Sequence, residues 1–184
     1  MSLQNGGVYL DIKTSVARQF SEVLESNDEF ILSQWDLLRF PKWGSDKSLA
    51  HIPGGEFQQW YIIAEPGHPF LKAVIDRVLV NIAHYNPFKD GAGPAAVIRV
   101  TGPAAYTLAI EPLLKHHRHR FVDSKQDLGL DYSIYAASSD HFSAFPGHYT
   151  QLCEPLIMVI SPLRWSFSLA RSAKRASRRL LSRD

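Results

Sequence analysis

The sequence predicts an α/β fold, because short apolar runs alternate with segments of helical character along the chain. The runs have the length and composition of buried strands, and glycine and proline residues separate them from the helical segments. This alternation is typical of domains in which helices cover a sheet. The predicted strands are 8–12, 30–32, 60–64, 96–100 and 132–136, and the predicted helices are 16–26, 70–85 and 103–117.

The composition is that of an ordinary globular domain. Hydrophobic side chains make up 45% of the 184 residues and charged ones 21%, which argues against a disordered chain. Cys153 is the single cysteine, so no internal disulfide can form, as is usual in a reducing compartment. The first residues lack the basic and apolar regions of a signal peptide, and no apolar run has membrane-spanning length. We therefore expect a cytoplasmic protein.

The individual elements carry further expectations. The strand 8–12 is apolar and is expected to be buried, and Thr14 or Ser15 is expected to cap the helix that follows it. Pro69 suits the first turn of helix 70–85, which is apolar on most sides and is expected to be well buried. The stretch from 36 to 58 is rich in glycine and proline, and it predicts a long irregular loop of the kind that often carries function.

Asp11 is the sharpest single site candidate. It stands at the end of an apolar strand, where open α/β sheets place groups that bind ligands. A carboxylate there can bind a hard divalent cation, which in turn neutralises a diphosphate. It can also simply cap the strand end or bond a nearby loop, and spacing alone favours this second interpretation.

Three blocks of sequence add a family resemblance, which covers roughly residues 5–155. The blocks resemble, in the same order, the GGxYLDxD, PGHPF and TGP segments of glycosyltransferase family 32. That family includes relatives of the yeast initiating α-1,6-mannosyltransferase and of bacterial capsular polysaccharide transferases. The blocks are GGVYLDIK at 6–13, AEPGHPFL at 64–71 and VTGPAAYT at 100–107.

The resemblance implies a GT-A-type, Rossmann-like fold over residues 1–160 and a hexosyltransferase activity. The donor would be a UDP- or GDP-hexose, and the acceptor a glycan or a lipid-linked glycan, as in the synthesis of capsular or other cell-surface polysaccharide. Transfer would usually retain the anomeric configuration, with Mn²⁺ or Mg²⁺ as the cofactor. A bound cation offsets the charge of the leaving nucleoside diphosphate.

The resemblance also implies roles for particular residues. Asp11 matches the first aspartate of the family's DxD motif and would act in catalysis and metal binding, with His148 as a second metal ligand; His141 is a weaker alternative. Lys13 stands where the family has its second aspartate, and a lysine can pair directly with a phosphate. The residues implied in binding the donor sugar and diphosphate are Tyr9, Gln59 (or Gln58, one position earlier), Thr101, Gly102 and His148.

The sequence departs from the family pattern in ways that favour an alternative. Lys13 replaces a metal ligand, and the strand–helix unit that in the family precedes GGxYLD and holds the base is expected to be missing. A truncated or degenerate, non-catalytic relative is therefore the alternative hypothesis. The histidines at 116–120 are interpreted as a basic helix end rather than a metal site, because consecutive side chains do not share a face. Trp60 and the other tryptophans are interpreted as core or acceptor-cleft residues.

The last segment, 161–184, differs in composition from the rest and predicts a basic amphipathic helix. Residues 163–184 are expected to contact an anionic membrane peripherally, at its cytosolic face. Nucleic-acid binding, docking in a partner's groove, or a solvated tail are the alternatives, and nucleic acid is not favoured. The apolar stripe of this helix consists of Trp165, Leu169, Ala173, Ala176 and Leu180, and arginines and lysines occupy the opposite side.

Overall fold

The computed structural model describes residues 4–36, 46–132 and 152–157, and in these ranges the fold is mixed α/β, as predicted. Two short 3₁₀ turns, Lys47–Leu49 and Glu111–Leu113, lie in the connections. The strands are β1 (Gly7–Leu10), β2 (Ser15–Val16), β3 (Phe30–Leu32), β4 (Tyr61–Ala64), β5 (Arg120–Phe121) and β6 (Leu130–Asp131). The helices are α1 (Phe20–Val23), α2 (Pro69–Ala83), α3 (Pro94–Val100) and α4 (Pro103–Ile110).

The main described sheet has four strands in the order β1-β4-β3-β5. β4 is antiparallel to both of its neighbours, and β3 pairs with β5 in parallel. β1 lies at the edge of this described sheet, with Val8 39% and Tyr9 41% exposed, so the prediction of a buried first strand is wrong. An edge strand in an antiparallel pair can keep one face in solvent, which an apolar sequence alone does not reveal.

Two other predicted elements differ in the structure, one in type and one in length. Residues 96–100 belong to helix α3 instead of a strand, because Pro94 starts the helix after Gly93, and Ala96 and Val100 are buried one turn apart. The predicted helix 16–26 shrinks to α1, because Ser15 and Val16 pair instead with β6. The strands at 30–32 and 60–64 are confirmed as β3 and β4.

Helix α2 begins at Pro69, as predicted, and ends at Ala83. Its expected burial is wrong: only Phe70 and Leu71 are buried, while its later turns leave large apolar side chains exposed. The helix predicted to run to 117 ends as α4 at Ile110 and continues as a 3₁₀ turn. Of the predicted strand 132–136, residues 133–136 lie outside the described part.

The core has two halves, one on each face of the sheet. Phe30 and Leu32 of β3 pack with Phe70 of α2 and Tyr106 of α4. Ile31 points the opposite way because strand side chains alternate. It packs with buried residues from α1, from β4, from β6 and from the segment before β6, including Val23, Ile63, Leu130 and Leu128. The covered sheet therefore provides a rigid frame, and β1 runs along its exposed side.

Within the described residues, no helix combines the length and the apolar character needed to cross a bilayer. The segment 161–184 lies outside the described part.

Candidate functional site

Asp11 directly follows β1, and the sheet fixes its position. Its backbone N–H donates to the Trp60 carbonyl at 2.7 Å, which extends the pairing of β1 with β4 by one residue. Tyr9 lies two residues earlier, on the same side of the strand, and its hydroxyl donates to Oδ1 of Asp11 at 2.8 Å. This bond to the carboxylate is the main reason that the pKa of Tyr9 is raised. The carboxylate keeps further acceptor positions for a ligand.

A turn after β1 brings Lys13 to an aromatic ring. The Thr14 N–H donates to the Asp11 carbonyl at 2.9 Å, which closes the turn. The Lys13 ammonium lies 5.4 Å from the centroid of the Tyr132 ring, a cation–π distance. Among the described residues, Lys13 makes no salt bridge. Its three donors therefore remain able to bind an anion.

Three aromatic side chains, those of Trp35, Trp60 and Tyr132, pack against one another beside this turn. The Trp60 ring is buried and lies 5.2 Å from Tyr132 and 6.5 Å from Trp35, between centroids. Trp35 donates through Nε1 to Oε1 of the buried Glu56 at 3.0 Å. Burial raises the pKa of the Glu56 carboxyl above its ordinary value. Trp60 is thus a core residue, one of the two roles that its sequence context suggested.

Polar atoms without partners cluster along the same segments. Thr14 Oγ1, Gln58 Oε1 and Trp60 Nε1 are buried and make no hydrogen bond to the described chain. An unsatisfied buried polar group costs about 1–3 kcal/mol, so most are paired in native proteins. These three lie on the stretches 11–14 and 58–60, which meet where Asp11 bonds Trp60.

Of the two glutamine candidates, Gln58 has a structural role, because it hydrogen-bonds to the segment that follows β3. It is buried, its backbone N–H donates to the Ser33 carbonyl at 2.8 Å, and its side-chain Nε2 donates to the Gln34 carbonyl at 3.0 Å. Gln59 is half-buried. Gln59 is therefore the more accessible of the two and the better placed to contact a ligand.

Thr101 and Gly102 lie at the junction of α3 and α4, and their described contacts are with these two helices; the Gly102 carbonyl accepts the Tyr106 N–H of α4 at 3.0 Å. The Thr101 hydroxyl donates to the Val97 carbonyl at 3.4 Å, and Gly102 is buried. A Cβ on Gly102 would come within 2.7 Å of the Val97 carbonyl oxygen, so glycine lets the two helices meet closely. This packing accounts for the TGP turn without a ligand.

The three sequence blocks nevertheless meet on one segment, residues 57–66. Gly7 pairs with Ala64, and Gly6 lies so close to Pro66 that an added Cβ would be 2.5 Å from its nitrogen. From the third block, Thr107 accepts the Phe57 N–H through Oγ1 at 2.9 Å. The first residues of successive blocks are 36 or more positions apart in sequence, so only the tertiary fold brings the blocks together.

A metal centre is not complete within the described residues. No three His, Cys, Asp or Glu side chains come together there as potential ligands. Asp11 offers one carboxylate, and Lys13 nearby disfavours a bare cation. His141 and His148, the predicted second ligands, lie outside the described part.

The histidine-rich stretch 116–120 was predicted to end a helix, and that prediction is wrong. It follows the 3₁₀ turn Glu111–Leu113 and leads into β5. The pairing of β5 with β3 holds the end of this stretch in extended conformation. His117 and His119 lie 5.9 Å and 5.7 Å from the Phe70 ring, between centroids. They therefore pack around the start of α2.

Two groupings were missed by sequence reasoning. Arg120 of β5 binds Asp28 through two hydrogen bonds, at 2.7 and 2.5 Å, from residues 92 positions apart. His68 is buried, with Nδ1 accepting the Phe70 N–H and Nε2 bonded to the Arg118 carbonyl, each at 3.2 Å. An open cavity of about 440 Å³ lies at the β5 side and not beside Asp11; it is lined by charged residues that include Arg18, Glu22, Arg120 and Asp127. For His68, the sequence did offer one signal, namely a histidine directly before the proline that starts a helix.

Comparisons of this chain with protein-family models, with curated proteins and with solved structures gave no significant match.

Proposed function

We propose that this protein is a GT-A-type hexosyltransferase that uses a nucleotide-diphosphate sugar. The observation that carries the proposal is the meeting of the three glycosyltransferase-like blocks on residues 57–66, with Asp11 and Lys13 at the end of the strand paired to that segment. The acceptor is a glycan or a lipid-linked glycan, and the protein works in the cytoplasm.

Asp11 and Lys13 divide the recognition of the diphosphate between them. Lys13 pairs directly with a phosphate oxygen as a point charge, exchanging its weak contact with Tyr132 for a stronger one. Asp11 contributes a carboxylate whose orientation Tyr9 holds through a hydrogen bond. Gln59, which is half-buried, supplies hydrogen bonds to the sugar side of the donor.

Mn²⁺ or Mg²⁺ fits this donor set only together with the substrate. One carboxylate cannot hold such an ion, but Mg²⁺ is commonly bound by one or two carboxylates plus substrate phosphates. When bound, the ion supplies Lewis-acid neutralisation of the diphosphate. Asp11 is the described residue that would hold it, and we expect metal affinity to be low until nucleotide is present.

Isothermal titration of the full chain with UDP and with GDP tests the proposal, each with and without Mn²⁺. We expect one nucleotide to bind, and Mn²⁺ to raise its affinity. Asp11→Asn should weaken the metal-dependent binding at least about tenfold, the effect of losing a charged ligand worth more than 1.4 kcal/mol. Asp76→Asn is the matched control, because Asp76 lies on the exposed side of α2 and binds only Lys72.

The alternative outcome is as informative. A chain that is shown to be folded by circular dichroism but binds neither nucleotide would contradict the proposal. It would support the non-catalytic relative that the lysine at position 13 suggests. Binding that persists without metal and is lost in Lys13→Met would instead assign the diphosphate to the lysine.

A further inference from the structure

Helix α2 carries an apolar stripe that no described residue covers. Ile75, Leu79 and Ile82 are 45%, 59% and 42% exposed, respectively. Their spacing of four and three residues places them on one side of the helix. Phe70, on the far side of the helix, is buried in the core, and Leu71, one turn before Ile75 on the side of the stripe, is buried as well. An amphipathic surface helix ordinarily exposes polar residues on this outer side, so the stripe needs a partner.

The chain passes this stripe just before its C-terminal segment. The Leu156 N–H donates to the Tyr85 hydroxyl at 3.1 Å, and Tyr85 lies two residues after the end of α2. The Gly93 N–H donates to the Glu154 carbonyl at 3.1 Å, which secures the same strip of chain. The described chain therefore ends near the C-terminal end of α2.

The segment that follows has the length and pattern to cover the stripe. From Trp165 to Leu180 its apolar residues recur on one narrow helical face. A helix over these residues is about 22 Å long, as is the fifteen-residue α2. The eight residues from 157 to 165 can span up to about 26 Å, so the segment can reach any point along α2.

We propose that residues 163–184 dock as a helix on the Ile75–Leu79–Ile82 stripe of α2. The contact buries the apolar faces of both helices against each other. It leaves the arginines and lysines of the segment in solvent, as expected for a basic face with no acidic partner on the stripe. The proposal does not depend on the transferase activity, since none of the three stripe residues belongs to the candidate site.

Disulfide trapping in the full chain tests this contact. In a Cys153→Ser background, Leu79→Cys is combined with Ala173→Cys, which places one cysteine at the centre of each stripe. Docked helices bring such Cα atoms within the roughly 4–7 Å that a disulfide needs. We expect an intramolecular disulfide to form at least about tenfold faster than in two controls. One control moves the second cysteine to Arg171→Cys, on the basic face, and the other moves the first to Val80→Cys, which is 57% exposed but off the stripe.

Several results would overturn the proposal. Equal trapping in the test and control pairs would mean that the segment is a flexible tether. Disulfides between chains would assign the stripe to a second copy. No disulfide, together with cosedimentation with anionic phospholipid vesicles that Leu169→Glu abolishes, would assign the apolar face of the segment to a membrane.

Discussion

The two sides of the sheet use charge in opposite ways. On the β5 side, Arg120 makes two hydrogen bonds to Asp28, a third to the Val23 carbonyl, and a salt bridge to Glu25 at 3.1 Å. On the β1 side, within the described residues, the Asp11 carboxylate receives one hydrogen bond, from Tyr9, and the Lys13 ammonium contacts the Tyr132 ring without a salt bridge. The Arg120 guanidinium thus has its partners within the chain, whereas Asp11 and Lys13 keep hydrogen-bonding positions that a ligand could use.

This difference separates charges that stabilise the fold from charges that can bind a ligand. A satisfied, largely buried ion pair ties distant segments together, and its loss leaves a charge without a partner. Asp11 and Lys13 are half-buried and make no salt bridge among the described residues, so their charges stay open to a ligand, as is common at functional sites. The contrast thus favours the β1 side as the ligand site, although the described cavity lies on the β5 side.

The largest effect is expected from Arg120→Met. It leaves the Asp28 carboxylate, whose side chain is only 7% exposed, without its cation, and should lower the free energy of unfolding by about 3 kcal/mol. The hydrogen bond to Asp28 is also the main reason that the pKa of Arg120 is raised. Urea denaturation measures the loss, and Asp11→Asn should change stability by only about 0.5 kcal/mol.

The double variant Arg120→Met/Asp28→Asn serves as the control for this prediction. It removes both charges and should recover part of the lost stability. A comparable loss in Asp11→Asn would mean that the β1 side is as structural as the β5 side, which would contradict the comparison.

An intermediate effect is expected from Gly6→Ala, which attacks the contact between the first two blocks. Gly6 has φ of +59°, and an added Cβ would lie 2.5 Å from the Pro66 nitrogen and 2.7 Å from the Ala64 carbonyl oxygen. Backbone atoms must shift to admit it, so we expect a loss of about 2–3 kcal/mol. Gly67→Ala is the matched control, because Gly67 has φ of +73° but no atom within 4 Å of the position that an added Cβ would take.

The thermal unfolding midpoints of the two glycine variants separate two costs. One is the strain of a left-handed backbone with a side chain, which both variants carry, and the other is the steric clash with Pro66, which only Gly6→Ala carries. Gly67→Ala should cost only the left-handed conformation, about 1 kcal/mol. If the two variants were equally destabilised, the close approach of Gly6 to Pro66 would not be a feature of the folded protein.

The smallest effect concerns pH and the start of α2. Because the Phe70 N–H is a donor, Nδ1 of His68 must accept, so Nε2 carries the proton and donates to the Arg118 carbonyl. Burial is the main cause that lowers the pKa of His68 below its ordinary value. The unfolded chain therefore binds this proton first, and stability should fall as the pH drops below about 6.5.

His68→Asn tests this dependence, since asparagine can cap the helix without titrating. Urea denaturation across about pH 5 to 8 should show a shallower fall for the variant than for the native chain. His68→Ala should cost about 1 kcal/mol at pH 8 through loss of the cap. An unchanged pH dependence in both variants would assign the titration to other groups.

The sequence by itself determined the elements whose signals are local. Pro69 marked the start of α2, and the apolar runs of β3 and β4 predicted central strands. It also identified Asp11 and Lys13 as candidates from a short motif. These features depend on residues close together in the chain, whose preferences tertiary contacts did not override.

The tertiary structure alone decided burial, partners and register. Apolar runs of similar composition became an exposed edge strand at 7–10 and a helix at 94–100, because pairing with β4 and packing on α4 decided their roles. The Arg120–Asp28 pair and the Lys13–Tyr132 contact join residues about a hundred positions apart. No local preference encodes such a contact, since it depends on the free energy of the whole packed core.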